Sequence, residues 1–287
     1  MSQSVVAVLG AGTMGHGIAQ IAASSGFTVR LYDVDIEAAE RGLTRIGQNL
    51  DGAVSRGKAT AEARAAAWER LSVTADLRTA VSGAAWVIEA APERMELKRK
   101  LVRETFSHEP GAYFGTNTSS LSVTEVAAAA PTPDRVVGLH FFNPPHLVKL
   151  LEIVRGSATA PETVSAARQL GEALGREMIV VNDSAGFATS RLGLVLGLEA
   201  IRMVEQGVAS AAEIDKGMEL GYRHPMGPLK LTDLVGLDVR LAIAEHLHRE
   251  LGETFRPPQL LRNMVRAGWL GKKSGRGFYR WDGDTAT

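Results

Sequence analysis

The sequence predicts an α/β fold: a doubly wound, mainly parallel sheet in residues 1–183, followed by an all-helical region in residues 184–287. Three observations carry this. The apolar run Val5-Val6-Ala7-Val8-Leu9 enters Gly10-Ala11-Gly12-Thr13-Met14-Gly15 directly and is followed by apolar residues at helical spacing. Further short apolar runs alternate with helical stretches as far as Val181. From Asp183 the pattern is helical.

The first unit sets the frame. Val5 to Leu9 suits a buried parallel strand, and Ile18, Ile21 and Ala22 mark the helix after it. Gly26 stands where a left-handed cap would end that helix, before a second strand at Thr28 to Tyr32 and then Asp33. Gly10 permits the tight turn, Gly12 lets the backbone approach a pyrophosphate, and Gly15 lets helix and strand pack closely. Thr13 and Met14 open the helix, whose free N–H groups favour phosphate. Asp33, about twenty residues on, suits a ribose 2′-hydroxyl and repels a 2′-phosphate. Neither Val34 nor Asp35 supplies an arginine, so NAD is favoured over NADP. A glycine-rich turn alone is a weak signal. Strand, helix and acid together point to a Rossmann-type dinucleotide site.

Helices are expected at Ile36 to Arg56 and Ala61 to Arg70, with Arg56-Gly57-Lys58 as a solvated loop that could also meet phosphates of a bulky substrate. Trp86 to Glu89 reads as a buried strand, and a helix runs from about Met95 to Thr105. Glu93 and Lys98 then lie at the carboxyl end of a strand, where open α/β sheets bind ligands. Tyr113 to Thr116 is the next strand and ends in Asn117-Thr118-Ser119-Ser120. Arg135 to His140 and Lys149 to Val154 are two more, joined through Phe141-Phe142-Asn143-Pro144-Pro145-His146; Glu177 to Val181 is the last. A long helix is then expected at Gly186 to Gln206, a capping box at Ser210 to Glu213, and another helix through Leu237, Leu241, Ala244, Leu247 and Leu251. The tail, Gly271 to Gly277, is rich in glycine and lysine.

At 287 residues the chain has room for two domains. With 32 Lys+Arg against 32 Asp+Glu, no global charge points to nucleic acid or an anionic membrane. There is no cysteine, which excludes disulfides, thiolate metal sites and a cysteine nucleophile. The first strand begins within five residues of Met1 and no apolar run reaches membrane-spanning length, so a cytoplasmic protein is expected.

His140 ends one strand and Glu152 lies twelve residues on in the next. If Pro144-Pro145 turns the chain back, the carboxylate would fix the imidazole tautomer and leave the other nitrogen as a base. On spacing alone, a satisfied core histidine is the competing reading.

Six motifs then occur in one order: Gly10-Ala-Gly-Thr-Met-Gly15, Asn117-Thr-Ser-Ser-Leu121, Gly138-Leu-His-Phe-Phe-Asn-Pro144, Gly186-Phe187 with Arg191-Leu192, His224-Pro-Met-Gly-Pro228, and Gly271-Lys-Lys-Ser-Gly275. Over nearly the whole chain this set resembles the L-3-hydroxyacyl-CoA dehydrogenase family, in its short bacterial 3-hydroxybutyryl-CoA form. The resemblance implies NAD as cofactor, an acyl-CoA substrate and a homodimer formed through the helical region; no metal is expected, because no pair of histidines has a metal-binding context. It implies His140 as catalytic base, Glu152 as its partner and Ser119 as a hydrogen-bond donor to the substrate. Glu93, Lys98, Asn117, Ser119, Asn143 and Lys273 would line the NAD site with the glycines and Asp33.

There is one departure. Similar enzymes carry asparagine before the Arg-Leu of the first C-terminal helix; here it is Ser190, whose hydroxyl donates one bond and is shorter than an amide. The family's CoA contacts fall near Arg45 to Lys58 and cannot be matched one to one. His108, His246 and His248 read as solvated and the four tryptophans as packing residues; His146, close in sequence to His140, stays open, with a structural role the favoured reading. Two other functions stay open: a dehydrogenase of a small free hydroxy acid, and a dinucleotide sensor without turnover.

Overall fold

The computed structural model describes residues 4–287. Its contacts divide the chain into two compact units, one ending at Ser184 and the other Ala185–Thr287. Among the described residues no helix is long and apolar enough to cross a membrane.

The first unit runs β1 (Val5–Leu9), α1 (Thr13–Ser24), β2 (Thr28–Tyr32), α2 (Ile36–Ser55), α3 (Ala61–Glu69), β3 (Leu71–Thr74), α4 (Leu77–Val81), β4 (Ala84–Glu89), α5 (Met95–His108), β5 (Tyr113–Thr116), α6 (Val123–Ala127), β6 (Val136–Phe141), β7 (Leu150–Arg155), α7 (Pro161–Ala173) and β8 (Glu177–Asn182). The strands form one sheet in the order β3-β2-β1-β4-β5-β6-β7-β8. Every pairing is parallel except β6 with β7. The order reverses at β1 and β4, which places a crevice beyond their carboxyl ends.

Alternation along β1 shows why the sheet must be covered on both faces. Val6 and Val8 enter one apolar cluster with Ile18, Leu31 and Ile46, whereas Ala7 and Leu9 enter another with Val87, Leu101 and Phe114. Successive strand residues point to opposite faces, so an all-apolar strand requires two layers of helix. Most helices of this unit start on polar caps. Asp35 accepts from the Glu37 N–H at 3.1 Å and Thr60 from the Ala63 N–H at 3.1 Å. Helix α1 starts at Gly12 with no side-chain cap.

Several short elements escape the periodicity. β3 is a half-buried edge strand of four residues, and α4 and α6 have five residues each, too short to show a helical repeat. Helix α7, opened by Pro161, is a longer omission.

The second unit comprises α8 (Thr189–Glu205), α9 (Ala211–Gly221), α10 (Pro228–Val235), α11 (Leu237–Leu251), α12 (Gln259–Arg266), β9 (Trp281–Asp282) and β10 (Thr285–Ala286). Leu194, Leu198, Ile201, Leu229, Leu237, Leu247 and Leu261 form its core. The Ser210–Glu213 capping box is formed. Two expectations need correction. The first helix begins at Thr189 rather than Gly186, because Gly186 (φ 74°) and Phe187 (φ 48°) are left-handed. The unit is also not wholly helical: β9 and β10 pair antiparallel at the end of the chain. Asp233 holds this tail, accepting from the Phe278 and Tyr279 N–H groups at 2.9 Å and from Trp281 Nε1 at 2.8 Å. Burial pushes its carboxyl above the usual range, against the pull of these donors.

Candidate active site

A cleft of about 650 Å³ lies at the carboxyl ends of β1 and β4, with Gly10, Gly12, Thr13, Met14 and Asp33 on its wall. The corner is made by backbone. Gly10 has φ 102°, and a Cβ there would sit 2.7 Å from the Ala90 carbonyl oxygen. A Cβ on Gly15 would fall 1.7 Å from the Gly10 oxygen, so α1 could not approach β1. A Cβ on Gly12 would meet nothing within 4 Å, which leaves its backbone open. Asp33 Oδ2 accepts from the Ala11 N–H at 2.9 Å, which fixes the carboxylate at the end of β2. An uncapped helix start, an open glycine and an oriented acid at a topological switch point fit a dinucleotide.

Across the ends of β4 and β5 a buried ionic network positions Glu93. Lys98 Nζ donates to Glu89 Oε1 at 2.8 Å and lies 3.4 Å from Glu93 Oε2. Glu89 also accepts from the Ala91 N–H and the Thr116 hydroxyl, both at 2.7 Å. Glu93 in turn accepts from the Thr118 hydroxyl at 2.5 Å and the Ser119 N–H at 3.2 Å. Lys98 has no exposed surface and lies beside Glu93, which its charge orients. Glu89 and Thr118 were missed, although an acid closing an apolar strand nine residues before a lysine was a usable signal. Asn117 Oδ1 accepts from the Phe141 N–H at 2.9 Å, which joins the Asn117–Ser120 turn to the end of β6. Ser119 is half-buried beside Glu93, whereas Asn143 is exposed in the loop after β6.

The antiparallel register pairs His140 with Glu152 directly across β6 and β7. His140 Nδ1 and Glu152 Oε2 are 2.6 Å apart, with His140 6% and Glu152 0% exposed. A carboxylate can only accept, so Nδ1 carries the hydrogen and Nε2 keeps its lone pair. The Phe142 ring packs 4.4 Å from the imidazole, centroid to centroid. The arrangement can take a proton at Nε2 and hold the resulting imidazolium.

In the second unit Ser190 is half-buried and is the second residue of α8, within its first turn rather than a full turn inside the helix. Lys273 Nζ donates to Asp238 Oδ2 at 2.7 Å. Trp86 stacks on Tyr113, Trp68 lies under Arg64, Trp269 under Arg276, and Trp281 binds Asp233, all structural contacts. Burial lowers the His146 imidazole below its usual range, and the charges of His16 and Arg56 add to this.

Residues 5–184 match the family model for the NAD binding domain of 3-hydroxyacyl-CoA dehydrogenase, and residues 186–281 match the model for its C-terminal domain. A probable 3-hydroxybutyryl-CoA dehydrogenase of Bacillus subtilis is 46% identical over 98% of both chains. A 3-hydroxyadipyl-CoA dehydrogenase of Escherichia coli is 42% identical, covering 96% of this chain and 58% of its own. The crystal structure of (S)-3-hydroxybutyryl-CoA dehydrogenase from Ralstonia eutropha superposes with a TM-score of 0.94 at 38% identity, covering 98% of this chain and 100% of that one. With an NAD cleft in the first unit and both halves matched, the chain belongs to the 3-hydroxyacyl-CoA dehydrogenase family and is an NAD-dependent oxidoreductase.

Proposed function

We propose that the chain interconverts short-chain L-3-hydroxyacyl-CoA, 3-hydroxybutyryl-CoA foremost, and 3-ketoacyl-CoA, with His140 as general base and Glu152 as its partner. The observation that carries this is the buried 2.6 Å contact between His140 Nδ1 and Glu152 Oε2. The chemistry NAD would supply when bound is that of a hydride acceptor for C3. His140 Nε2 takes the proton of the C3 hydroxyl, and the Glu152 charge favours the imidazolium so formed. Ser119 donates to the substrate near its reacting oxygen, and Ser190 is a substrate donor in place of the usual amide. Gly10, Gly12, Thr13, Met14, Gly15 and Asp33 would hold the adenosine and pyrophosphate half of the cofactor. Glu93, Asn117, Asn143 and Lys273 would also line the NAD site, with Lys98 positioning Glu93.

A cytoplasmic homodimer completes the reading. The lack of cysteine suits a reducing compartment, and Leu192, Leu196, Leu231 and Leu234 stand 63%, 44%, 40% and 40% exposed on the helical unit, an apolar face for a second copy. The functional reading is tested by NADH oxidation with acetoacetyl-CoA beside free acetoacetate. Turnover of the thioester alone is expected. Turnover of the free acid would favour a hydroxy-acid dehydrogenase, and turnover of neither would remove this substrate class.

A further inference from the structure

One buried cation in the second unit is left without a counter-charge. Arg240, in the first turn of α11, is 8% exposed and its Nε is buried with no hydrogen-bond partner. Among the described residues no carboxylate pairs with it: neighbouring Asp238 is held by Lys273, and Glu245 by Arg262. Burial lowers the guanidinium to about 10. A desolvated charge with no partner is among the costliest features a fold can carry. The buried lysine of the first unit, by contrast, is matched by two carboxylates.

The surroundings say where the missing anion would sit. The nearest side-chain atom to a Cβ built on Gly193 is Arg240 Nη1, at 3.9 Å, so α8 presents a bare backbone to the guanidinium. On the same stripe of α8, a Cβ on Gly197 would lie 3.2 Å from Thr232 Oγ1 of α10. Ser190 precedes Gly193 by three residues and therefore lies only about 60° around the helix from it. Ser190, the residue proposed above as a substrate donor, thus shares a side of α8 with Gly193, the position that faces Arg240.

We propose that Arg240 is a recognition residue for acyl chains that end in a carboxylate, the class of 3-hydroxy-dicarboxylic acyl-CoA thioesters. The inference rests on the reading of Ser190 as a substrate donor. A planar guanidinium receives a carboxylate through two parallel hydrogen bonds. A methyl-ended chain of equal length leaves the charge buried and unpaired, and a site built for a polar group rejects the analogue that lacks it.

The test compares 3-oxoadipyl-CoA with 3-oxohexanoyl-CoA, six-carbon chains that differ only at the far end, in the native enzyme, Arg240→Met and Arg240→Lys. The ratio of kcat/KM for the carboxylate-ended over the methyl-ended thioester should exceed about ten in the native enzyme. It should fall at least tenfold in Arg240→Met and be partly kept in Arg240→Lys, with thermal melting of each variant as the check on folding. A native ratio near or below one, or a ratio unchanged in a folded Arg240→Met, overturns the proposal. An unchanged ratio with a shift from dimer to monomer on sedimentation would also overturn it, and would give Arg240 to the contact between copies. Failure of every thioester, acetoacetyl-CoA included, would instead remove the proposed function, and this inference with it.

Discussion

The β1–α1 corner, which fits a dinucleotide, and the β6–β7 hairpin, which carries the proposed base, are built by opposite means. The corner uses backbone: positive φ at Gly10, no room for a Cβ at Gly15, open space at Gly12 and an uncapped helix start. The hairpin uses two side chains, His140 and Glu152, opposed by the antiparallel register and buried. The difference separates two tasks. Dinucleotides share a pyrophosphate that backbone amides can meet, whereas a proton must be taken by a side chain with the right lone pair.

Damage to the two regions should therefore give different kinetic signatures. Gly15→Ala would break the corner most severely, since its Cβ collides with backbone that cannot swing aside. Fluorescence titration should show NADH affinity weakened at least about a hundredfold, or about 2.7 kcal/mol; an unchanged affinity would refute the close-packing account. Glu152→Gln keeps the shape and removes the charge behind the imidazole. Stopped-flow turnover with acetoacetyl-CoA should fall by roughly ten- to a hundredfold with the NADH Kd unaltered.

These contrasts also explain what the sequence made legible. The glycine corner could be read because its chemistry is local: a strand, a fixed spacing and an acid. The His140–Glu152 pair needed one nonlocal fact, that the Pro144-Pro145 segment returns the chain antiparallel, and spacing only suggested it. The burial of Lys98 was harder to read, because Arg99 and Lys100 follow it on α5 and only the spacing to Glu89 at the strand end hints at the buried pair. Arg240 gave no signal for the same reason. It stands between Leu237 and Leu241 in a helical pattern where a charged residue ordinarily faces water. β3 and the β9–β10 pair were too short for a period of two to show.

Two smaller effects sharpen the comparison. Asp33→Ser should narrow the preference for NAD(H) over NADP(H) at least about tenfold in kcat/KM, near 1.4 kcal/mol, because repulsion of a 2′-phosphate is lost. Equal preferences in native enzyme and variant would remove that role from Asp33. Ser190→Ala should lower kcat a few-fold to about tenfold, as expected for one lost hydrogen bond to the substrate oxygen, while Ser190→Asn is tolerated. Native kinetics in Ser190→Ala would leave Ser190 as a packing residue.

The separation of binding from chemistry is tested most directly by His140→Gln, with NADH Kd and acetoacetyl-CoA turnover measured on one preparation. The account predicts a Kd within about twofold of native and a kcat lower by about two to four orders of magnitude, the range for loss of a positioned general base. Near-native turnover, or a Kd that worsens in step with kcat, would contradict it.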